Sequence, residues 1–274
     1  MRSILAIDPA WTAREPSGVA LLREAQAGWD CIGLAPSYSQ FLALADGVPV
    51  DWSSAPVGAE PDVHALLDAT QQLLGGTPVD LITIDMPVAT MPISGRRAAD
   101  SGISQAFGGR GCGTHSPSAA RPGVISYKLQ AAFADRGYPL ATSNASSGEI
   151  PALVEVYPHP ALLVLLDAQY RVPYKVSRAH RYWPAVSPAD RRRRLVEAWH
   201  EILAALAETI VGANLPVPTL DLVDQHGSTQ LKRYADALDA LVCAWVGTQF
   251  LQGHCAPYGD ATAAIWTPIA AQVS

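Results

Sequence analysis

The sequence predicts an α/β fold: a mixed sheet of three antiparallel strands plus parallel strands, flanked by helices, with a long insertion after the fourth strand. Three observations carry that reading. Apolar, β-branched runs end abruptly at prolines, as in SILAID before Pro9 and VDLITIDM before Pro87, and proline has no N–H to continue a ladder. Other segments place apolar residues three and four apart, the period of an amphipathic helix. The order over the first 86 residues is three strands, a helix and a strand.

Taken in order, Ser3–Asp8 reads as the first strand, and Ser17–Arg23 and Trp29–Leu34 as the next two. The short connection through Ala27-Gly28 makes the second and third a hairpin. Pro61–Leu74 carries Val63, Leu66, Leu67, Leu73 and Leu74 at helical spacing and stops at Gly75-Gly76. Val79–Met86 is the fourth strand. Residues 87–148 form the insertion: its first part, to residue 124, is rich in Gly, Ser, Pro and Arg and reads as irregular, with a helix over Ser126–Arg136. Ala152–Tyr157 is a further strand before Pro158. Pro188–Thr209 is a long helix with Ser187 as N-cap and Pro188 in its first turn. Leu231–Leu251 is a second long helix, and Ala263–Trp266 a short last strand.

Composition bounds what this chain does. With 274 residues, 49% hydrophobic and 16% charged, it is expected to form a single domain over 1–274 with a full core rather than a disordered chain. No apolar run reaches membrane-spanning length, so no membrane partner is expected. The N-terminus reads as a strand rather than a signal peptide. Cys31, Cys112, Cys243 and Cys255 lie far apart without a C-x-x-C pair, which argues against zinc or a disulfide framework and for a cytoplasmic location. The net charge of −6 excludes a basic coat for non-specific nucleic-acid binding. The segment 171–194 nevertheless carries eight basic residues against one acid, Asp190, a stripe able to steer an anion.

The acids inside apolar strands are the informative pattern. Side chains alternate along a strand, so Ile4, Ala6 and Asp8 share a face, as do Leu81, Thr83 and Asp85, while Glu155 shares one with Leu153 and Tyr157. Asp8 and Asp85 end their strands. If those strands are parallel neighbours, the two carboxylates meet at the carboxyl edge of the sheet, where α/β proteins place ligands. Clustered carboxylates repel unless a proton or cation holds them, and an all-oxygen site suits Mg2+ or Mn2+. Two such ions clamp the attacking and leaving oxygens of a phosphodiester. Asp236 and Asp239, three apart in DALDAL, lie on one helix face and supply the helical acids. Each acid has a plainer reading: turn caps for Asp8 and Asp85, an arginine partner for Glu155, and Lys232 four residues before Asp236.

Together IDPAW, SGVALL, IDMPV, EVYP, YK…R…RYWP, DALDALVCAWVG and GDATAAIW resemble a family of uncharacterised bacterial and archaeal proteins described as predicted ribonuclease-H-like nucleases. The DALDAL helix is also similar to the closing helix of Holliday-junction resolvases, where two aspartates three apart complete a four-carboxylate site. The resemblance implies a ribonuclease-H-like sheet, with Asp8 as the first-strand aspartate, Asp85 as the fourth-strand acid, and Asp236 and Asp239 as the helix pair. Glu155 belongs to the EVYP motif and has no clear resolvase counterpart. The 87–148 insertion also departs from a compact resolvase.

The expectation is therefore a Mg2+- or Mn2+-dependent phosphodiesterase acting on DNA or RNA, with a homo-oligomer allowed. Asp8, Asp85 and Asp239 would bind metal, and Asp236 or Glu155 would orient water. Lys175, Arg178, Arg96, Arg97 and Arg110 would contact phosphate. Two other classes compete. An actin-like ATPase or kinase would need glycine hairpins after the strand acids, where this chain has Pro9 and Met86-Pro87. A non-catalytic binding module on the same scaffold would keep the acids for structure. GGRGCG at 108–113 lacks the Lys-Ser/Thr of a phosphate loop and reads as a turn or lid. Of the seven histidines, His159 is the first candidate for a functional role.

Overall fold

The computed structural model describes residues 1–270. The chain opens with three strands, β1 (Ser3–Asp8), β2 (Gly18–Glu24) and β3 (Trp29–Ala35), paired antiparallel in sequence order. Two helices follow, α1 (Tyr38–Ala45) and α2 (Val63–Leu73), and then β4 (Leu81–Ile84). The insertion contributes α3 (Ala98–Phe107) and α4 (Val124–Asp135) before β5 (Ala152–Val156). The second half holds α5 (Pro158–Leu165), the short α6 (Ala179–Tyr182), α7 (Pro188–Ala207), β6 (Ile210–Val211) and the long α8 (Ser228–Leu251). It closes with β7 (Cys255–Gly259) and β8 (Ala264–Pro268).

All eight strands form one mixed sheet in the order β6-β3-β2-β1-β4-β5-β8-β7. β1, β4, β5 and β8 run parallel to one another, and β7 returns antiparallel to β8. Helices cover both faces. On one, Ile4, Ala6, Ala20, Leu22, Leu81, Val154 and Val156 pack against α5, α7 and α8. On the other, Leu5, Ile7, Val19, Leu21, Ile82, Ile84 and Leu153 pack against α1, α2 and α4. The period-two split predicted for β1 is thus the division between the two cores.

α8 runs across β1, β2 and β4, and two glycines set how closely it lies. A Cβ on Gly247 would sit 2.9 Å from Ile4 Cγ2 and 3.1 Å from Thr83 Cγ2, and one on Gly18 would collide with the Asp236 carbonyl. Their bare backbones bring the helix down onto the strands that carry the acids.

Several elements depart from the sequence reading. α1, α5, β6 and β7 were not anticipated. α1 is only eight residues long and its start is marked by Ser37, whose hydroxyl accepts from the Gln40 N–H. α5 begins with two prolines, at 158 and 160, which fit a first turn where no N–H is needed. The irregular stretch after β4 contains α3, begun by Asp100 accepting the Arg97 N–H (2.9 Å) and packed through Ala99 and Ile103 on Ile265 of β8.

Candidate active site

Asp8 and Asp85 stand side by side. Ile7 pairs with Ile84 in the parallel register of β1 and β4, and the Asp85 N–H donates to the Ile7 carbonyl (3.0 Å). Both side chains extend the α8 face of the sheet and open into a cleft of about 600 Å3. The cleft is also lined by Trp11, His115, Ser116, Arg121, Lys175 and Asp236. Among the described residues, no donor hydrogen-bonds to either carboxylate. Burial pushes the Asp8 carboxyl well above the usual carboxylate range, Asp239, Asp85 and Asp236 push it further, and Lys175 opposes them. Burial likewise raises Asp85, to about 7, with Lys175 opposing.

α8 supplies the two helical acids, which differ in how they are held. Asp239 is fully buried, accepting from the Tyr174 hydroxyl at Oδ1 (2.5 Å) and from the Lys175 ammonium at Oδ2. Asp236 accepts from Lys232 at Oδ2 (2.8 Å), the plainer partner foreseen for it, and also lines the cleft. Burial raises Asp236 to about 6, against the pull of Lys232. Burial alone would lower the Lys175 ammonium, but Asp239, Asp8 and Asp85 outweigh it and keep it charged. Tyr174 is in turn anchored by its carbonyl, which accepts from the Trp199 indole N–H (2.8 Å).

Glu155 is not part of this cluster. It pairs in register with Ile84, whose side chain faces the α1–α2–α4 core, so Glu155 points to the opposite face of the sheet from Asp85. There it accepts from Arg97 at both oxygens (2.6 and 2.7 Å) and from the Val88 N–H (3.0 Å). Arg97 also binds Asp100 (2.9 Å), and all three side chains are buried. The arginine partner foreseen as the plainer reading of Glu155 is thus a residue expected to meet phosphate.

The other expected phosphate contacts are also engaged internally. Arg110 donates to the carbonyls of Ala168 (2.6 Å) and Gln169 (3.1 Å), which docks GGRGCG as a turn against the 168–171 segment. Arg96 donates to Ser101, Ser104, Ser116 and the Asp100 carbonyl. Arg178 lies 2.6 Å from His115 Nε2, near the cleft wall. In the basic run, Arg191 binds the carbonyls of Trp183 and Pro184, and Arg192 and Arg193 pair with Asp224. Burial and the neighbouring Arg171 hold His159 well below its usual pKa, and its neutral ring packs edge-on against Tyr157 and Tyr174. Its Nε2 meets the Arg171 guanidinium.

Sequence reasoning did not assign Trp11, His115 or Tyr174 to the site. Trp11 stacks under Arg121, 5.3 Å from the guanidinium carbon to the ring centroid, on the cleft wall. The signal for Trp11 was its place three residues after Asp8.

The four acids and Lys175 use only oxygen and ammonium groups. In their ionised forms, Asp8, Asp85, Asp236 and Asp239 face Lys175 and Lys232, which leaves two negative charges uncompensated. Among the described residues, no group of three or more His, Cys, Asp or Glu side chains is placed to hold a metal ion. The donor-free pair Asp8 and Asp85 supplies oxygen ligands of the kind that a hard divalent cation would use.

The fold and this site define an α/β protein with a carboxylate-floored cleft at the carboxyl edge of a mixed sheet. A family model described as "Protein of unknown function (DUF429)" matches residues 47–263, and the chain belongs to that family. The matched span holds Asp85, Glu155, Lys175, Asp236 and Asp239 and begins after Asp8. No curated protein and no solved structure matches the chain. Among the described residues, no helix is long and apolar enough to cross a membrane.

Proposed function

We propose that this protein is a divalent-metal-dependent phosphodiesterase acting on nucleic acid, built on a ribonuclease-H-like scaffold. One observation carries the reading: Asp8 and Asp85 are adjacent, half-buried, without hydrogen-bond donors among the described residues, and open to a cleft. Burying a bare carboxylate is costly unless a proton or cation compensates it. A sheet with an antiparallel trio beside parallel β1, β4 and β5 supports the scaffold assignment.

Asp8 and Asp85 would hold Mg2+ or Mn2+, and the bound ion would supply Lewis-acid polarisation of a phosphoryl oxygen. The chain's own groups do the rest. Asp236, raised to about 6 and facing the cleft, is placed to accept a proton from the attacking water near neutral pH. Tyr174 and Lys175 fix Asp239. Ser116, His115 and Arg121 line the same cleft and would orient the phosphate-bearing substrate. The acidic floor with a basic and aromatic wall suits a phosphate ester carrying a base, because Trp11 offers a stacking face.

The test is cleavage of labelled single-stranded and duplex DNA and RNA with Mg2+ or Mn2+ by the wild type and Asp8→Asn. Loss of metal-dependent cleavage in the variant is expected. Equal activity in both would sink the assignment.

A further inference from the structure

We infer that the cluster takes a single divalent ion, because the Lys175 ammonium stands where a second cation would otherwise sit. The inference rests on the reading of the cluster as a metal site and refines it: the sequence suggests a pair of ions, and the structure argues for one ion and one lysine.

Three observations lead there. Lys175 is half-buried on the wall of the cleft, beside the acids: its ammonium binds Asp239 Oδ2, is drawn by Asp8 and Asp85, and lies 5.2 Å from the centroid of the Tyr174 ring. The backbone beneath it is fixed, because the Tyr174 carbonyl accepts from the buried Trp199 indole and the Tyr174 hydroxyl donates to Asp239 Oδ1. Asp239 therefore has both oxygens engaged by the chain itself, whereas among the described residues no donor engages those of Asp8 and Asp85. The charges agree with this division. Four carboxylates against Lys175 and Lys232 lack two positive charges, which one divalent ion supplies. A second ion would leave an excess of two positive charges in a half-buried cleft, where like charges repel more strongly than in bulk water.

Lys175 would thus act as a fixed monovalent cation held by Asp239. Such a lysine cannot dissociate, and its charge is present before any metal arrives. It also weakens the binding of the ion it accompanies, since the two are neighbouring positive charges.

The experiment is a titration of the metal-stripped full chain with Mn2+, read by the paramagnetic resonance of free Mn2+ and by calorimetry. Wild type is expected to bind one Mn2+ per chain. Lys175→Gln, which keeps a donor for Asp239 without the charge, is expected to bind that ion about tenfold tighter or more and to gain a second, weaker ion. Lys175→Arg is expected to remain at one. Two ions on the wild type would overturn the inference and leave the metal site standing, as would a Lys175→Gln variant unchanged in number and affinity. No Mn2+ on the wild type would remove the metal reading itself and this inference with it. If melting curves show that Lys175→Gln does not fold, the wild-type stoichiometry still decides.

Discussion

Two groups of buried acids lie near one another at the same edge of the sheet and are built on opposite plans. On the face covered by α1, α2 and α4, Glu155 and Asp100 share Arg97, and the Glu155 carboxylate also takes a backbone N–H. On the face covered by α8, Asp8 and Asp85 take no donor from the described residues, and only Asp239 and Asp236 have lysine partners. The first group is satisfied by its own chain and fastens the insertion to β5. The second is left short of positive charge and open to a cleft. Compensation, more than the number of acids, separates the structural ion network from the open cluster.

The largest expected effect comes from breaking the satisfied side. Arg97→Met leaves Glu155 and Asp100 buried without their cation, and removing one partner of a buried pair costs about 3–5 kcal/mol. Asp8→Asn in the metal-free protein is expected to do the reverse, holding or raising stability, because it removes a half-buried carboxyl that neighbouring acids repel. Urea unfolding of both metal-free variants against wild type measures the contrast. A harmless Arg97→Met beside a strongly destabilised Asp8→Asn would mean that the two roles are exchanged.

The second effect, on the order of 2 kcal/mol, is a pH dependence carried mainly by the unsatisfied side; burial also raises Glu155, but Arg97 opposes it. Burial raises Asp85 to about 7 and Asp236 to about 6, above the ordinary aspartate value of about 4. A carboxyl whose pKa is raised by folding binds its proton more tightly in the folded state. Unfolding therefore releases protons in this window, and the stability of the metal-free protein falls as pH rises from about 4 to about 7. Asp85→Asn is expected to flatten that slope. Mn2+ competes with the same protons, so its stabilisation should grow over the same range. Melting temperatures across pH, with and without Mn2+, check both; a Mn2+ effect that shrinks as pH rises would contradict the scheme.

Much of this comparison was legible in the sequence, and its limits are physical. Alternation in SILAID and LITID, with prolines close behind, placed Asp8 and Asp85 on one face at the strand ends. The same rule put Glu155 with Leu153, and the register of β5 against Ile84 shows that this face is the wrong one for the cluster. That register depends on pairing between distant strands, which alternation within one strand does not specify. The helix period placed Asp236 and Asp239 together. It gave no hint that Asp239 belongs to Tyr174 and Lys175, which lie more than sixty residues earlier. The arginines misled for a related reason. The acceptors of Arg110 and Arg191 are backbone carbonyls, and every residue type carries one of those.

A third effect follows from the way α8 is seated. Gly247→Ala places a methyl against Ile4 and Thr83, which pushes the helix off β1 and β4 at a cost of about 1–2 kcal/mol. Asp236 and Asp239 ride on that helix, whereas Glu155, Arg97 and Asp100 do not. Mn2+ affinity is therefore expected to fall, while the melting behaviour of the Arg97 network, followed by hydrogen exchange of the Val88 amide, stays near wild type. Equal loosening of both groups would show that the two faces are mechanically one unit.

The smallest effect on stability tests Asp236 alone. Lys232 is nearly half exposed and pairs with Asp236 one helical turn away, an arrangement worth no more than about 0.5 kcal/mol. Lys232→Met should thus leave unfolding nearly unchanged. Its consequence lies in the protonation of Asp236, which burial raises and Lys232 restrains. Without the ammonium, Asp236 is held higher still and keeps its proton to a higher pH. If Asp236 takes the proton of the attacking water, the acidic limb of the metal-dependent rate moves upward in pH while the plateau at high pH is retained. A limb that stays in place would assign that proton to another group and leave Asp236 a structural partner of Lys232, making it more like Glu155 than like Asp8.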